Sequence, residues 1–233
     1  MSTGAAAPRV GADPYPWPLE DLRADECALV LIDMQRDFLA EEGYFASLGH
    51  DVGPLAAAVG PARACLDAAR AAGMRVVHTR QGYRPDLADM APWRRIKGER
   101  YGSPIGQPGP LGRVLIRGEP GFDIVPELAP REGEPVIDKT ANGAFTDTDL
   151  DRVLRVAGVR ALAFAGVTLD VCVHTSLREA HDRGYQCLLI GDACGAVEPE
   201  LHAWALRSVT VEGGVFGSVT DSAGFAAGLG GGR

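Results

Sequence analysis

No run of apolar residues in this chain approaches the roughly 20 that a helix needs to cross a bilayer. Its opening stretch, MSTGAAAPRVGADPYPWPLEDL, contains no apolar segment of the signal-peptide kind. The expectation is a soluble, cytoplasmic protein with no membrane partner. Positive charge is also scarce: 23 Lys and Arg against 31 Asp and Glu leave a formal net charge of -8. That balance argues against nonspecific attraction to phosphate backbones or anionic lipid, so no nucleic-acid partner is expected. Paired cysteines are missing as well. Cys27, Cys65, Cys172, Cys187 and Cys194 are odd in number, scattered and without a C-x-x-C, which excludes a disulfide framework or a zinc knuckle. Cys27, Cys65 and Cys187 fall inside apolar strand or helix patterns and read as small buried hydrophobes. Cys172 and Cys194 remain open.

What the chain does have is a length of 233 residues and 46% hydrophobic content, enough to bury the core of one α/β domain. Residues 1–22 interleave Pro14, Pro16 and Pro18 with Tyr15 and Trp17. Each proline removes a donor and biases its predecessor to extended geometry, so this segment is an extended arm, lying on its own domain or a neighbouring subunit. A domain over 23–229 and a disordered Gly-rich end, GLGGGR, follow, with 230–233 as the tail proper. CALVLID (27–33), RVVHTR (75–80), PVIDK (135–139), ALAFAG (161–166), QCLLIGD (186–192) and GVFGSV (214–219) read as strands. Helices are expected over 54–73, 146–158, 170–184 and 199–209, with a short one at the end. Such alternation makes a parallel sheet covered on both faces. The stretch 81–130, rich in Gly, Pro and Arg, is too long for an idle connection and is expected to cover a site.

Open parallel sheets bind ligands beyond the carboxyl ends of their strands. There the chain supplies Asp33, Lys139 and Cys172, a carboxylate, an ammonium and a thiol at three separate strand ends. Taken singly, Asp33 would serve as a turn or cap aspartate, Lys139 as a solvated loop lysine, and Cys172 as a buried hydrophobe. Together they form a nucleophilic set. Four aliphatic residues before Asp33 would raise its pKa while Lys139 lowers it, suiting it to take a thiol proton and return it to a leaving amine. A helix starting near Cys172 would lower the thiol pKa, with Asp170 as its N-cap. The passage Gly166-Val167-Thr168 could aim the backbone N–H groups of Thr168 and Cys172 at one developing oxyanion.

The segments IDMQRDF, the post-strand DK and GVTLDVC together resemble the isochorismatase-like cysteine hydrolases. Within that superfamily the chain is most similar to the biuret hydrolases, through DPYPWP, HTRQGYRPDLAD, RVLIRGEPGFDIVPEL, REAHDRGYQCLLIGD and GGVFGSV. The resemblance implies a single-domain, six-stranded parallel sheet between helices, a triad of Asp33, Lys139 and Cys172, and a non-proline cis peptide between Val167 and Thr168 that shapes the oxyanion hole. It also implies a homo-oligomer, dimer or tetramer. Nicotinamidase-like members carry an Asp-x-His and a second His after the second strand. Here His78 stands alone in HTRQGYRPD, so neither a metal nor another cofactor is expected.

Substrate contacts are expected from Phe38, Asn142, Phe145, Val167 and Glu212. Arg84, Arg94, Arg95 and Lys97 could recognise an acidic group, or be solvated charges. The biuret hydrolases carry a glutamine where this chain has Glu212, and an ionised glutamate only accepts hydrogen bonds. The TANGAF loop after Lys139 also departs from theirs. The first expectation is hydrolysis of biuret or triuret through an acyl enzyme on Cys172. The second is another N-carbamoyl amide, of the N-carbamoyl amino acid or ureidoacrylate type, for which Glu212 would be awkward. The third is a ligand-binding member without catalysis, disfavoured because thiol, carboxylate and ammonium are all present. Vinyl ether hydrolysis, the isochorismatase reaction, does not use the cysteine.

Overall fold

The computed structural model describes residues 7–102 and 105–230. Strands β1 (Cys27–Ile32), β2 (Arg75–Gln81), β3 (Val136–Lys139), β4 (Ala161–Val167), β5 (Gln186–Gly195) and β6 (Ser218–Thr220) form one sheet in the order β3-β2-β1-β4-β5-β6, every neighbouring pair parallel. β1 and β4 are buried at every position, which is why they read as unbroken apolar runs rather than alternating ones. The two-residue period still operates, because it divides each strand between two cores. Cys27, Leu29 and Leu31 face one side with α1 (Val59–Ala72) and Phe225, and Ala28, Val30 and Ile32 face the other with Leu150, Leu177 and Val209. Each fully buried Leu, Ile or Val contributes roughly 1.5–3 kcal/mol, so the central strands anchor both layers.

The other helices of seven or more residues among the described residues are α2 (Pro92–Tyr101), α3 (Leu150–Val156), α4 (His174–Asp182), α5 (Pro199–Gly214) and α6 (Ser222–Gly230). The helix expected over 54–73 is split into a turn at Gly53–Ala56 and α1. Pro61 is the cause: it has no N–H for the carbonyl one turn back, so it is tolerated only in a first turn. α1 then stops at Gly73, whose φ of 70° is the left-handed cap. α5 holds helical geometry only as far as residue 210, because Val211, Glu212 and Gly213 leave it. That break displaces the last strand from 214–219 to Ser218–Thr220.

The proline-rich arm lies on its own domain. Asp13 bridges Val219 at the sheet's edge, the Trp17 indole N–H donates to the Gln186 carbonyl at 2.9 Å, and the Arg9 N–H donates to the Gly228 carbonyl at 3.0 Å. The arm thus pairs the otherwise open edge strand β6. Its packing also corrects the expected disorder of GLGGGR: Gly228 and Leu229 belong to α6, where Gly228 sits directly against Arg9 and Val10. Residues 231–233 of the expected tail lie outside the described residues. Among the described residues no helix is long and apolar enough to cross a membrane.

The described residues of 81–130 include α2, a small ribbon pairing Pro108–Gly109 with Gly112–Arg113, and single-residue bridges from Tyr83 to Ile116 and from Gln35 to Ile124. They fold over the carboxyl ends of β1 and β2 and supply Tyr83, Arg94, Ile105 and Leu115 to the cavity there.

Candidate active site

The strand order reverses between β1 and β4, and the chains leaving those strands must part. Gly166 lets the two backbones touch just before that point: a Cβ on it would collide with the Ile32 carbonyl oxygen, and its φ is 130°. One residue beyond β1, Asp33 adopts φ 50°, a left-handed conformation more accessible to Asp than to most residues. Two residues beyond Gly166 the Val167–Thr168 peptide is cis. A π-turn follows over Leu169–Val173, in which the N–H groups of Val171 and Val173 both donate to the Thr168 carbonyl, at 3.2 and 3.1 Å. That turn carries Cys172 and feeds directly into α4. Its N-cap is Thr168, with Asp170 in the first turn rather than capping it. The turn is locked from behind, since the Ser176 hydroxyl donates to the Cys172 carbonyl at 2.6 Å and accepts from the Ala144 N–H at 3.0 Å.

Asp33, Lys139 and Cys172 converge. The Lys139 ammonium lies 2.7 Å from Asp33 Oδ2, with both side chains 0% exposed. Cys172 is buried beside both, close enough for each to act on its titration. The Thr79 hydroxyl donates to Asp33 Oδ1 at 2.7 Å and accepts from the Asp33 N–H at 3.1 Å. Lys139 Nζ also donates to Gln81 Oε1 at 2.8 Å and to the carbonyls of Asn142 and Ala141 at 3.0 and 3.1 Å. Burial alone would strip the Lys139 proton, but the Asp33 carboxylate and the Cys172 sulfur outweigh it, and its pKa is raised.

The thiol behaves differently from the expectation built on a helix terminus. Burial pushes Cys172 up to about 12; Lys139 opposes this, and Asp33 adds to it. A buried sulfur beside a carboxylate keeps its proton, and the dipole of a helix that begins with a wide π-turn does not reverse that. The resting arrangement is therefore a neutral thiol between an ammonium and a base that can receive its proton.

Above these groups is a cavity of about 190 Å³ lined by Phe38, Asn142, Thr168 and Cys172 together with residues that sequence reasoning had not singled out, including Tyr44, Phe45, Gln81 and Tyr83. At ~30 Å³ per water molecule this is room for about six waters, the scale of a small metabolite. Its wall includes one guanidinium, Arg94, whose Nη1 donates to the Tyr83 hydroxyl at 3.2 Å. Among the described residues no carboxylate pairs with Arg94, whereas Arg84 pairs with Asp86 and Arg95 with Glu99. Lys97 is exposed on the same helix. Thr79, Gln81 and Tyr83 lie on or just after β2 within HTRQGY, where their alternating positions are the signal that was available.

Several expected contacts fall elsewhere. The Phe145 N–H donates to the Glu179 carboxylate of α4 at 2.9 Å, which draws the ring to that layer, where it packs 6.0 Å from Tyr185 in the core. Val167 points into the α1-side core by the alternation of β4, leaving its peptide as its only part near the cavity. Glu212 is exposed, at φ 53° in the break after α5, and does not line the cavity. Cys194 is buried on β5 and borders a separate hollow with Asp192 and His202. His78 is buried and its Nε2 lies 3.1 Å from Glu134. Among the described residues no group of three His, Cys, Asp or Glu side chains is placed to hold a metal ion.

A thiol, carboxylate and ammonium at three strand ends around the switch point of a doubly wound sheet define a nucleophile-bearing α/β class. By its match to the isochorismatase domain over residues 27–223, this chain belongs to the isochorismatase family. It is 33% identical over 215 residues to the ureidoacrylate amidohydrolase RutB of Methylorubrum extorquens, covering 88% of this chain and 84% of that protein. It is 32% identical to the enzyme of the same name from Agrobacterium fabrum, covering 77% and 80%. Among solved structures, a cysteine hydrolase from Pseudomonas syringae superposes with a TM-score of 0.77 at 26% identity, covering 100% of both chains. An N-carbamoylsarcosine amidase from Thermoplasma acidophilum superposes at 0.63 with 25% identity, covering 84% of this chain and 96% of that one.

Proposed function

We propose that this protein is a cysteine-dependent amidohydrolase whose substrate is a small ureido acid, of the ureidoacrylate or N-carbamoyl amino acid type. The observation that carries this reading is the Arg94 guanidinium, without a carboxylate partner among the described residues, on the wall of the same small cavity that holds Cys172. A carboxylate is the matching ligand for a guanidinium. Biuret and triuret have none, and the named relatives act on ureidoacrylate and N-carbamoylsarcosine. The sequence-based preference for biuret is therefore given up in favour of the ureido acid. The objection raised by Glu212 lapses, because that carboxylate is outside the cavity.

In the proposed reaction Asp33 accepts the Cys172 proton as sulfur adds to the ureido carbonyl. The backbone N–H groups of Thr168 and Cys172 hold the oxyanion. The carbonyl then re-forms, one C–N bond breaks, and the proton passes from Asp33 to the leaving nitrogen. Water next attacks the S-acyl enzyme, a thiocarbamate, giving its proton to Asp33, from which the departing thiolate recovers it. Splitting the reaction this way suits a carbonyl made unreactive by two donating nitrogens. Lys139 remains an ammonium throughout and stabilises the transient thiolate.

Turnover of ureidoacrylate, N-carbamoylglycine, biuret and nicotinamide, followed chromatographically, tests the reading. Both ureido acids are expected to exceed biuret. Cys172→Ser retains binding and loses turnover by orders of magnitude. Arg94→Met raises KM roughly 10- to 100-fold, the effect of losing a charged hydrogen bond of ~1.5–3 kcal/mol. Faster hydrolysis of biuret, or an unchanged KM in Arg94→Met, overturns the assignment.

A further inference from the structure

The cavity over Cys172 is one of several hollows among the described residues. A second, of about 470 Å³, lies outside it, lined among others by Leu48, Leu87, Met90, Gly98 and Ile105. Arg94 and Ile105 line both, so the two hollows adjoin at these side chains, and the guanidinium stands at that junction, the neck of the proposed arrangement. Tyr83 holds Arg94 there: its hydroxyl accepts from Nη1 at 3.2 Å and donates to the Thr140 carbonyl at 3.1 Å, in the loop that also ligates Lys139. The carboxylate anchor is thereby tied to the same backbone segment as the catalytic ammonium. The charged groups on the outer wall neutralise one another, since Arg95 and Glu99 pair at 4.0 Å. What the outer chamber offers a ligand is then chiefly Leu, Met and Ile surface.

Resting on the reading of this site as a hydrolase of ureido acids, we infer that the substrate is an N-carbamoyl α-amino acid with an extended apolar side chain. Its ureido group enters the inner cavity, its α-carboxylate meets Arg94 at the neck, and its side chain lies in the outer chamber. An α-amino acid derivative is the chemical class that matches this layout, because carbamoyl nitrogen, carboxylate and side chain all branch from one carbon. That carbon sits at the neck. A substrate as short as ureidoacrylate or N-carbamoylglycine fills the inner cavity and leaves the outer one to water. The net reaction adds one water across a ureido C–N bond and yields the amino acid and carbamate, which decomposes to ammonia and carbon dioxide. No redox partner is required.

The test compares kcat/KM for the N-carbamoyl derivatives of glycine, alanine, leucine, methionine and aspartate on the wild-type protein and on Leu48→Trp, which narrows the outer chamber from its exposed rim. Expected is a rise along glycine, alanine and leucine, with leucine and methionine at least about 10-fold above glycine, as a well-fitted apolar pocket gives, and aspartate lowest. In Leu48→Trp the leucine-to-glycine ratio falls by about 10-fold, through KM rather than kcat. A flat wild-type series in which glycine and ureidoacrylate are hydrolysed as well as leucine overturns the outer-chamber assignment while leaving the ureido-acid reading standing. An unaltered leucine-to-glycine ratio in Leu48→Trp does the same. Failure to hydrolyse any ureido acid overturns both. The wild-type series needs no variant to fold.

Discussion

Replacing Lys139 by Met separates what the lysine does for the fold from what it does for chemistry. Lys139 and Asp33 are both 0% exposed and 2.7 Å apart, so removing the ammonium leaves a buried carboxylate whose remaining side-chain hydrogen-bond donor is the Thr79 hydroxyl. Breaking a buried pair from one side costs roughly 3–5 kcal/mol. For a chain of this size each kcal/mol lowers Tm by about 2–4 °C, so Lys139→Met is expected to unfold about 6–20 °C earlier. In Lys139→Met combined with Asp33→Asn the uncompensated charge is gone, and the Asn amide keeps the Thr79 contact. Much of the loss should then return, giving a coupling of at least ~2 kcal/mol in the double-mutant cycle. Urea unfolding followed by fluorescence supplies the free energies, and hydrolysis of a ureido acid supplies the activity. All three variants should be inactive, because none retains both the proton acceptor and the ammonium. Additive single-mutant losses, or a Lys139→Met protein as stable as wild type, would refute the view that this pair is a mutually dependent buried unit.

Further outcomes are expected elsewhere. A thiol pushed up to about 12 should react slowly with iodoacetamide at pH 7, with a rate rising about tenfold per pH unit through pH 9; a plateau below pH 8, read by mass spectrometry at Cys172, would contradict that environment. Glu134, held at about 2 against an ordinary 4.5, is opposed by burial but bound by the Arg70 guanidinium, the Arg131 N–H and His78. Its folded pKa lies below its unfolded one, so its contribution of about 3 kcal/mol is present above pH 4.5 and fades as pH falls toward 2. Glu134→Gln should therefore narrow the gap to wild type in urea midpoint over that window, and a constant gap would count against the pairing. Gly166→Ala should lower stability by about 1–3 kcal/mol through overpacking against the Ile32 carbonyl and reduce turnover more than Tm, since the displaced strand ends carry Asp33 and Thr168. Unimpaired turnover would show that this contact does not set the site.

Strand positions were legible because burial on both faces leaves runs such as CALVLI and ALAFAGV with little alternative. Boundaries were legible where chemistry is local, as at Gly73. They were misplaced where it is not: the helix expected to start at 54 is divided by Pro61, and the last strand moved because Glu212 and Gly213 leave helical geometry. The convergence of Asp33, Lys139 and Cys172 could be argued in advance, since parallel topology delivers strand ends to one edge. Thr79, Gln81 and Tyr83 were not singled out, because their roles depend on partners at or just past the ends of β1 and β3, Asp33, Lys139 and Thr140, that carry no local signature.

The sequence by itself determined the doubly wound sheet and the chemical types at its active edge, for hydrophobic periodicity and strand alternation restrict the topology to very few forms. Only the tertiary structure decided which side chains look into the cavity. Phe145 and Glu212 were turned away by a carboxylate on α4 and a left-handed break after α5, and Arg94 was brought in from a helix in the long 81–130 segment. Inward or outward orientation at a loop or helix end depends on packing between segments remote in sequence. The proposed substrate rests on that packing.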